Sequence, residues 1–242
     1  MRFLERERAT LEKLLPGLDE SLREIPLMQL ENPKDTYSIR TSHQKDGPIL
    51  LVPKAQEGIG ATAVDALRVQ RALGSRSPSL AVATTTHHFS IGTLIGLIPP
   101  DDTGDGFASG VLGGAGYEGW LVASSFAEER LDAGILSSSM TATEGYDGVR
   151  ISGVTRPYGL AWVMDMLIAD VMVSRMDGQG EERALVLVDA QSEGVSGTSA
   201  SGEAQNGQVT FDNVLVDNLT WASDFDKPVD VLLTRASPGS SC

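Results

Sequence analysis

The residues of this chain best suited to proton chemistry are an adjacent pair, His87 and His88, in the segment Thr84-Thr85-Thr86-His87-His88-Phe89-Ser90. Imidazole changes charge near neutral pH, so one such ring facing a pocket serves as a general acid or base. Neighbouring helical positions point about 100° apart, so the two rings cannot share one metal ion, and the chain has no HExxH or CxxC sequence. The competing account is a packing role inside the core. Gly114-Ala115-Gly116-Tyr117-Glu118-Gly119 matches GxGxxG, whose glycines let a backbone approach a pyrophosphate at a helix N-terminus. Its context is poor: no strand of bulky apolar residues precedes it, and Ser139 stands where an acid is expected. Asp101, Thr103, Asp105 and Gly106 follow the first half of a calcium-binding loop, but Leu112 sits where the bidentate glutamate belongs, so a solvated acidic linker is the better reading. GxSxG and the Walker sequence are both absent.

These residues need elements to hold them. Leu4, Leu11, Leu14 and Leu15 form a stripe on a charged first helix that ends at Pro16-Gly17. Asp19 to Leu30 adds a second short helix. Thr62 is placed to cap a helix in which Ala63, Ala66, Leu67, Gln70 and Leu73 share a face, ending at Gly74. A further helix runs from about Pro78 to Leu94, with Pro78 in the first turn, where its missing N–H does no harm. Residues 99–119 read as a glycine- and aspartate-rich linker and Tyr117 to Arg130 as an amphipathic helix. Thereafter the period shortens to two. Strand-length segments fall at 134–140, 149–153, 164–173, 184–188, 208–211, 214–216 and 229–233, whereas 193–207 is poor in large apolar residues and reads as a loop. Helices first and strands second predict an α+β chain: an all-α domain over 1–120, an antiparallel β-barrel or sandwich with its entry helix over 121–235, and a tail at 236–242.

Composition limits the function. The 242 residues carry a net charge of −14, and 41% are apolar, which describes a globular chain and argues against a general binder of nucleic acid or anionic membrane. Residues 1–76 balance 12 Lys and Arg against 11 acids, so the remaining residues supply −15. The single cysteine, Cys242, permits no internal disulfide, no run of apolar residues is long enough for a membrane span, and the N-terminus lacks the apolar core of a secretory signal. A soluble, cytoplasmic protein is expected.

An ordered series of short segments resembles the acyl-CoA dehydrogenase-like flavoproteins. Gly47-Pro48-Ile49-Leu50-Leu51-Val52-Pro53, the Gly58-Ile59-Gly60-Ala61 turn, Val69-Gln70-Arg71-Ala72-Leu73, Ser77-Pro78-Ser79-Leu80-Ala81 and His87-His88-Phe89 are similar, in order and spacing, to that family's N-terminal helical domain. Ala127 to Arg130 with Ile135 to Ser139, Tyr146 to Gly153, Thr155 to Leu160 and Val209 to Val216 resemble its central β-domain. The resemblance implies FAD against the β-domain, contacted near Ser137, Ser138, Ser139, Pro157, Tyr158 and Gly159. It also implies an acyl-CoA or acyl-carrier-protein substrate, oxidised by removal of a proton and a hydride.

Two departures qualify that implication. The family's longer acidic and glycine-rich flavin motif is contracted here to Leu136-Ser137-Ser138-Ser139-Met140. The C-terminal helical bundle that supplies the dehydrogenase base has no counterpart, so a truncated chain, a homo-oligomer or a partner chain that supplies the bundle is expected. Three readings stand: an FAD-dependent acyl-thioester oxidoreductase, a flavin-dependent monooxygenase of the same architecture using His87 or His88 as acid or base, and a non-catalytic binding module.

Overall fold

Twenty residues from Pro78 to Leu97 form one helix without a single charged side chain, and the rest of the fold explains why. A computed structural model of the chain describes residues 4–31, 41–42, 46–98, 104–125, 140–157, 159–178, 180–199, 207–216, 219–221 and 223. Within these, α1 (Glu5–Leu14) packs on both α2 (Leu18–Glu24) and α4 (Ala63–Gly74), and Leu30 of the single turn α3 (Leu27–Leu30) joins the same core cluster. The long helix is α5 (Pro78–Leu97), and α6 spans Phe107–Tyr117.

Helix α5 enters all three hydrophobic clusters. Its Leu80 joins Leu11, Leu15, Leu18, Leu22, Val69 and Leu73. Ile91, Leu94 and Leu97 join Val111, Leu112 and Ala115 of α6. Ala83 touches the core of the sheet. Most of this helix is covered by apolar neighbours, and its exposed positions, Pro78, Thr85, Gly92, Ile95 and Gly96, are uncharged. Its N-terminus is capped: Ser77 accepts from the Leu80 N–H at 3.1 Å, as Thr62 accepts from Asp65 N–H at 3.2 Å on α4. Glu31 occupies the first turn of α5, accepting from the Ser79 N–H and hydroxyl. At the far side of the helical layer Asp19 binds both Arg8 and Arg76; the hydrogen bond from Arg76 leads the causes holding its carboxyl below the usual range, against an opposing desolvation.

The second half is a mixed sheet of β1 (Val122–Ser124), β2 (Met140–Gly145), β3 (Gly148–Thr155), β4 (Met166–Ser174), β5 (Glu181–Asp189), β6 (Val195–Ser199), β7 (Gly207–Val216) and β8 (Leu219–Trp221). Its order is β6-β7-β3-β2-β4-β5-β8, with β1 also on β4. The antiparallel expectation is corrected at two pairs: β1 and β2 both run parallel to β4, one along each half of it. Barrel closure is not seen among the described residues, where β6 and β8 end the hydrogen-bonded order. Leu167, Ala169, Val171 and Val173 of β4 face one core, while Ile168 faces the helices. This two-sided burial is the reason β4 reads as an apolar run interrupted in its middle only by Asp170.

Three local expectations are corrected. The 99–119 linker contains helix α6, whose Ala108, Val111, Leu112 and Ala115 are buried at helical spacing. Where a helix was expected from residue 117, the chain leaves α6 at Tyr117 and enters strand β1, pairing with Met166–Ile168; residues 126–130 of that expected helix lie outside the described residues. Strand β6 lies inside the 193–207 segment read as a loop; it pairs with β7 through backbone groups and needs little apolar surface. The predicted strands at 134–139 and 229–233, residues 101 and 103 of the calcium-like pattern, and the 236–242 tail fall outside the described residues.

Candidate functional site

One face of α5 connects the two halves of the chain. Ala83, His87 and Ser90, at i, i+4 and i+7, all meet the second half. Gly159, in the turn after β3, approaches Ala83 so closely that a Cβ there would stand 3.0 Å from the Ala83 backbone N and Cα; its φ of +74° also favours glycine. Ser90 Oγ lies 3.0 Å from Ser124 Oγ, with both residues buried. The next residue, Ser125, accepts the Asp170 N–H through its hydroxyl at 3.1 Å. Asp170 in turn holds Arg183, its Oδ1 accepting from Nε at 2.7 Å. A polar seam of Ser90, Ser124, Ser125, Asp170 and Arg183 thus crosses an otherwise apolar interface.

The two histidines have different neighbours. His87 is fully buried; its Nδ1 accepts the Val122 N–H at 2.9 Å, which fixes the hydrogen on Nε2, and Nε2 donates to the Pro48 carbonyl at 2.7 Å. His88 turns toward the helical layer. Gln70 Nε2 donates to its Nδ1 at 2.7 Å, and its Nε2 donates to the Gly47 carbonyl at 3.2 Å. Burial first, and the adjoining His87 second, push the His88 ring down to about 3, so it is neutral throughout the physiological range. Both rings therefore engage both nitrogens with protein groups.

Of the flavin-contact positions implied by the sequence, the structure brings Gly159 to within one helical turn of His87 and buries Pro157 beside it. Ser137, Ser138, Ser139 and Tyr158 lie outside the described residues. Ser90, Ser124, Ser125 and the Asp170–Arg183 pair were not singled out in the sequence. A run of hydroxyl residues inside an apolar helix was the available signal for Ser90, since such residues are poor helix formers without a tertiary reason. Thr155, at the end of β3, is also buried, and its Oγ1 has no hydrogen-bond partner. Among the described residues no group of three His, Cys, Asp or Glu is arranged to hold a metal ion, and no helix is long and apolar enough to cross a membrane.

The GxGxxG segment has a packing explanation. Gly114 and Gly116 lie inside α6, near its C-terminal end, and not at a helix N-terminus. A Cβ on Gly114 would stand 2.0 Å from the Trp120 ring, and one on Gly116 would stand 1.6 Å from the Gln56 carbonyl oxygen. The glycines admit a neighbouring ring and a backbone turn.

Placing alanine at Gly159 is expected to destabilise the chain by about 2 kcal/mol, from an unfavourable positive φ together with the contact on Ala83. Thermal denaturation checks this; an unchanged melting temperature would mean the turn does not bear on α5.

Comparison with solved structures shows that this arrangement of helices against a mixed sheet is an acyl-CoA dehydrogenase-like fold. The dibenzothiophene monooxygenase TdsC of Paenibacillus sp. A11-2, in its indole-bound form, superposes with a TM-score of 0.67 at 21% identity, over 93% of this chain and 54% of that one. XiaF from Streptomyces sp., in complex with FADH2 and glycerol, gives 0.62 at 16% identity over 96% of this chain and 59% of its own. KijD3, in complex with FMN and a dTDP-linked amino sugar, gives 0.69 at 15% identity, over 90% of this chain and 54% of its own.

In sequence, the chain is 41% identical over 201 residues to the isobutylamine N-hydroxylase of Streptomyces viridifaciens, a match that takes in 81% of this chain and 51% of the relative. The chain therefore spans about half the length of the curated relative it matches. No family model matches it. The resemblance to acyl-CoA dehydrogenase-like flavoproteins is supported at the level of the fold, which these monooxygenases share.

Proposed function

We propose that this chain carries the flavin-binding half of a flavin-dependent monooxygenase, and that the substrate is a small primary amine hydroxylated at nitrogen. The observation that carries the reading is the 41% identity to isobutylamine N-hydroxylase. It favours the monooxygenase alternative over the acyl-thioester dehydrogenase.

The residues at the junction fit a flavin ring. The donor set is uncharged apart from the internally paired Asp170 and Arg183, and it consists of hydroxyls and backbone groups suited to the carbonyl and N–H edge of a neutral conjugated ring. The buried, unpartnered Thr155 Oγ1 adds one group awaiting a partner. Pro157 and Gly159 with Tyr158, and Ser137 to Ser139, are the positions that would hold the ring. FMN and FADH2 each occur in proteins of this fold, so the flavin is assigned here without choosing between them.

A reduced flavin, when bound, supplies two electrons for the activation of O2. In balance, R–NH2, O2, two electrons and two protons give R–NHOH and water. The chain's own contribution is placement and exclusion of water: α5 brings a charge-free wall to the junction, and the buried seam positions hydroxyls without introducing a net charge. A charge-free wall favours the unprotonated amine, the form with a free lone pair.

The test is to purify the chain, titrate it with FMN and FAD in oxidised and reduced forms, and supply reduced flavin, O2 and isobutylamine. Flavin binding with formation of the alkylhydroxylamine, detected by mass, is the expected result. Oxidation of an acyl thioester to the enoyl product without hydroxylamine would overturn it, and absence of any flavin binding would leave the binding-module reading in its place.

A further inference from the structure

We propose that His87 is a positioning residue whose ring ties the start of strand β1 to the Gly47–Ile49 turn and thereby sets where the Ser124 and Ser125 hydroxyls stand at the junction. The inference rests on the flavin reading above only for what those hydroxyls serve.

Strand β1 has three residues and is paired along one side, to Met166, Leu167 and Ile168 of β4. So short a strand is not self-supporting. Its entry is held by two side chains: Asp165 accepts the Leu121 N–H at 2.7 Å, and His87 accepts the Val122 N–H at 2.9 Å. The opposite nitrogen of the same ring donates to Pro48 O, so one rigid side chain spans two backbone groups that belong to different halves of the fold. Two residues beyond Val122, Ser124 meets Ser90, which stands on the same face of α5 as His87. A ring that shifted would carry β1 and its hydroxyls with it.

Its neighbour provides the control. His88 reaches the adjacent carbonyl, Gly47 O, but its other partner is Gln70 of α4, within the helical layer. Removing either ring leaves buried backbone or amide groups unpaired and lowers stability; only removal of His87 releases β1. The same geometry assigns the single ring N–H of His87 to structure, because Nε2 donates it to Pro48 O while Nδ1 accepts from Val122.

The experiment compares His87→Leu, His87→Gln and His88→Leu in the full chain. Backbone hydrogen exchange is followed over residues 121–125 and, for reference, 184–188, and FMN and FAD affinities are measured at a temperature where all variants are folded. His87→Leu is expected to speed exchange at 121–125 at least about tenfold, with 184–188 unchanged, and to weaken flavin binding about tenfold. His87→Gln, which keeps an acceptor and a donor, should recover part of both. His88→Leu should lower the melting temperature without selective exchange at 121–125. Equal exchange changes in the His87 and His88 variants, or none at 121–125, overturn the proposal. If the wild-type chain binds no flavin while His87→Leu still frees 121–125, the positioning role stands and the flavin reading falls. Should His87→Leu fail to fold, the His87→Gln comparison decides alone.

Discussion

Replacing Gly116 with alanine is expected to destabilise the protein by about 3 kcal/mol or more, which for a chain of this length lowers the melting temperature by roughly 6–12 °C. On helix propensity alone the change should help by about 1 kcal/mol, since glycine is a poor helix residue. Sterics reverse the sign. The added methyl would stand 1.6 Å from Gln56 O and 3.4 Å from Val52 Cγ1, and a backbone carbonyl cannot swing aside as a side-chain tip can. Helix α6 would have to lift from the Lys54–Gln56 turn, uncovering Val52 and its neighbours in the second core cluster. Gly113 provides the contrast: its hypothetical Cβ meets nothing within 4 Å, so Gly113→Ala should be neutral or stabilising by up to about 1 kcal/mol. Calorimetry on both variants separates the accounts. If the two behave alike, the packing explanation of the GxGxxG segment is wrong, and an anion probe that bound at this segment would count for the phosphate reading.

Acidification is expected to unfold the chain earlier than its surface carboxylates alone would suggest, because of His88. Burial holds its folded-state pKa near 3, against about 6.5 in the unfolded chain. The unfolded state therefore binds more protons over this interval, so stability is complete above about pH 6.5 and falls as pH drops toward 3. Each pH unit in that window removes up to about 1.4 kcal/mol, or about 3 kcal/mol by pH 4.5. The structural event is loss of the acceptor at Nδ1, which breaks the bond from Gln70 and leaves a buried cation between α4 and α5. Denaturant titrations at several pH values measure the slope. In His88→Gln the slope between pH 6.5 and 4 should drop by close to one proton, although the variant is less stable at pH 7. An unchanged slope would show that His88 does not titrate on unfolding in this window.

Much of the helical half was legible because its signals are local. The Thr62 cap, the proline in the first turn of α5 and the break at Pro16-Gly17 all act within one helical turn, and each helix lies where those residues put it. Strands β3, β4 and β5 were equally visible from their apolar runs, with ends displaced by one to three residues. Helix α6 was missed despite buried positions at 108, 111, 112 and 115, since its glycines mark a loop unless Trp120 and the Gln56 carbonyl are known to lie against them. Strand β6 was missed for the opposite reason: it is held by backbone pairing to β7, and Val195 is its one apolar side chain.

The candidate site divides in the same way. The ordered segments carried the fold and the flavin expectation, and the sequence singled out His87 and His88. Their functions could not be read from the sequence, because a histidine's role depends on what its two nitrogens meet. Those partners, Pro48, Val122, Gly47 and Gln70, are set by how the helices and the sheet pack. By itself, the sequence determined the helices and strands whose caps, breaks and apolar runs are local, including the charge-free α5. Tertiary structure alone decided which face of α5 meets β1 and Gly159, because that choice depends on contacts between residues far apart in the chain.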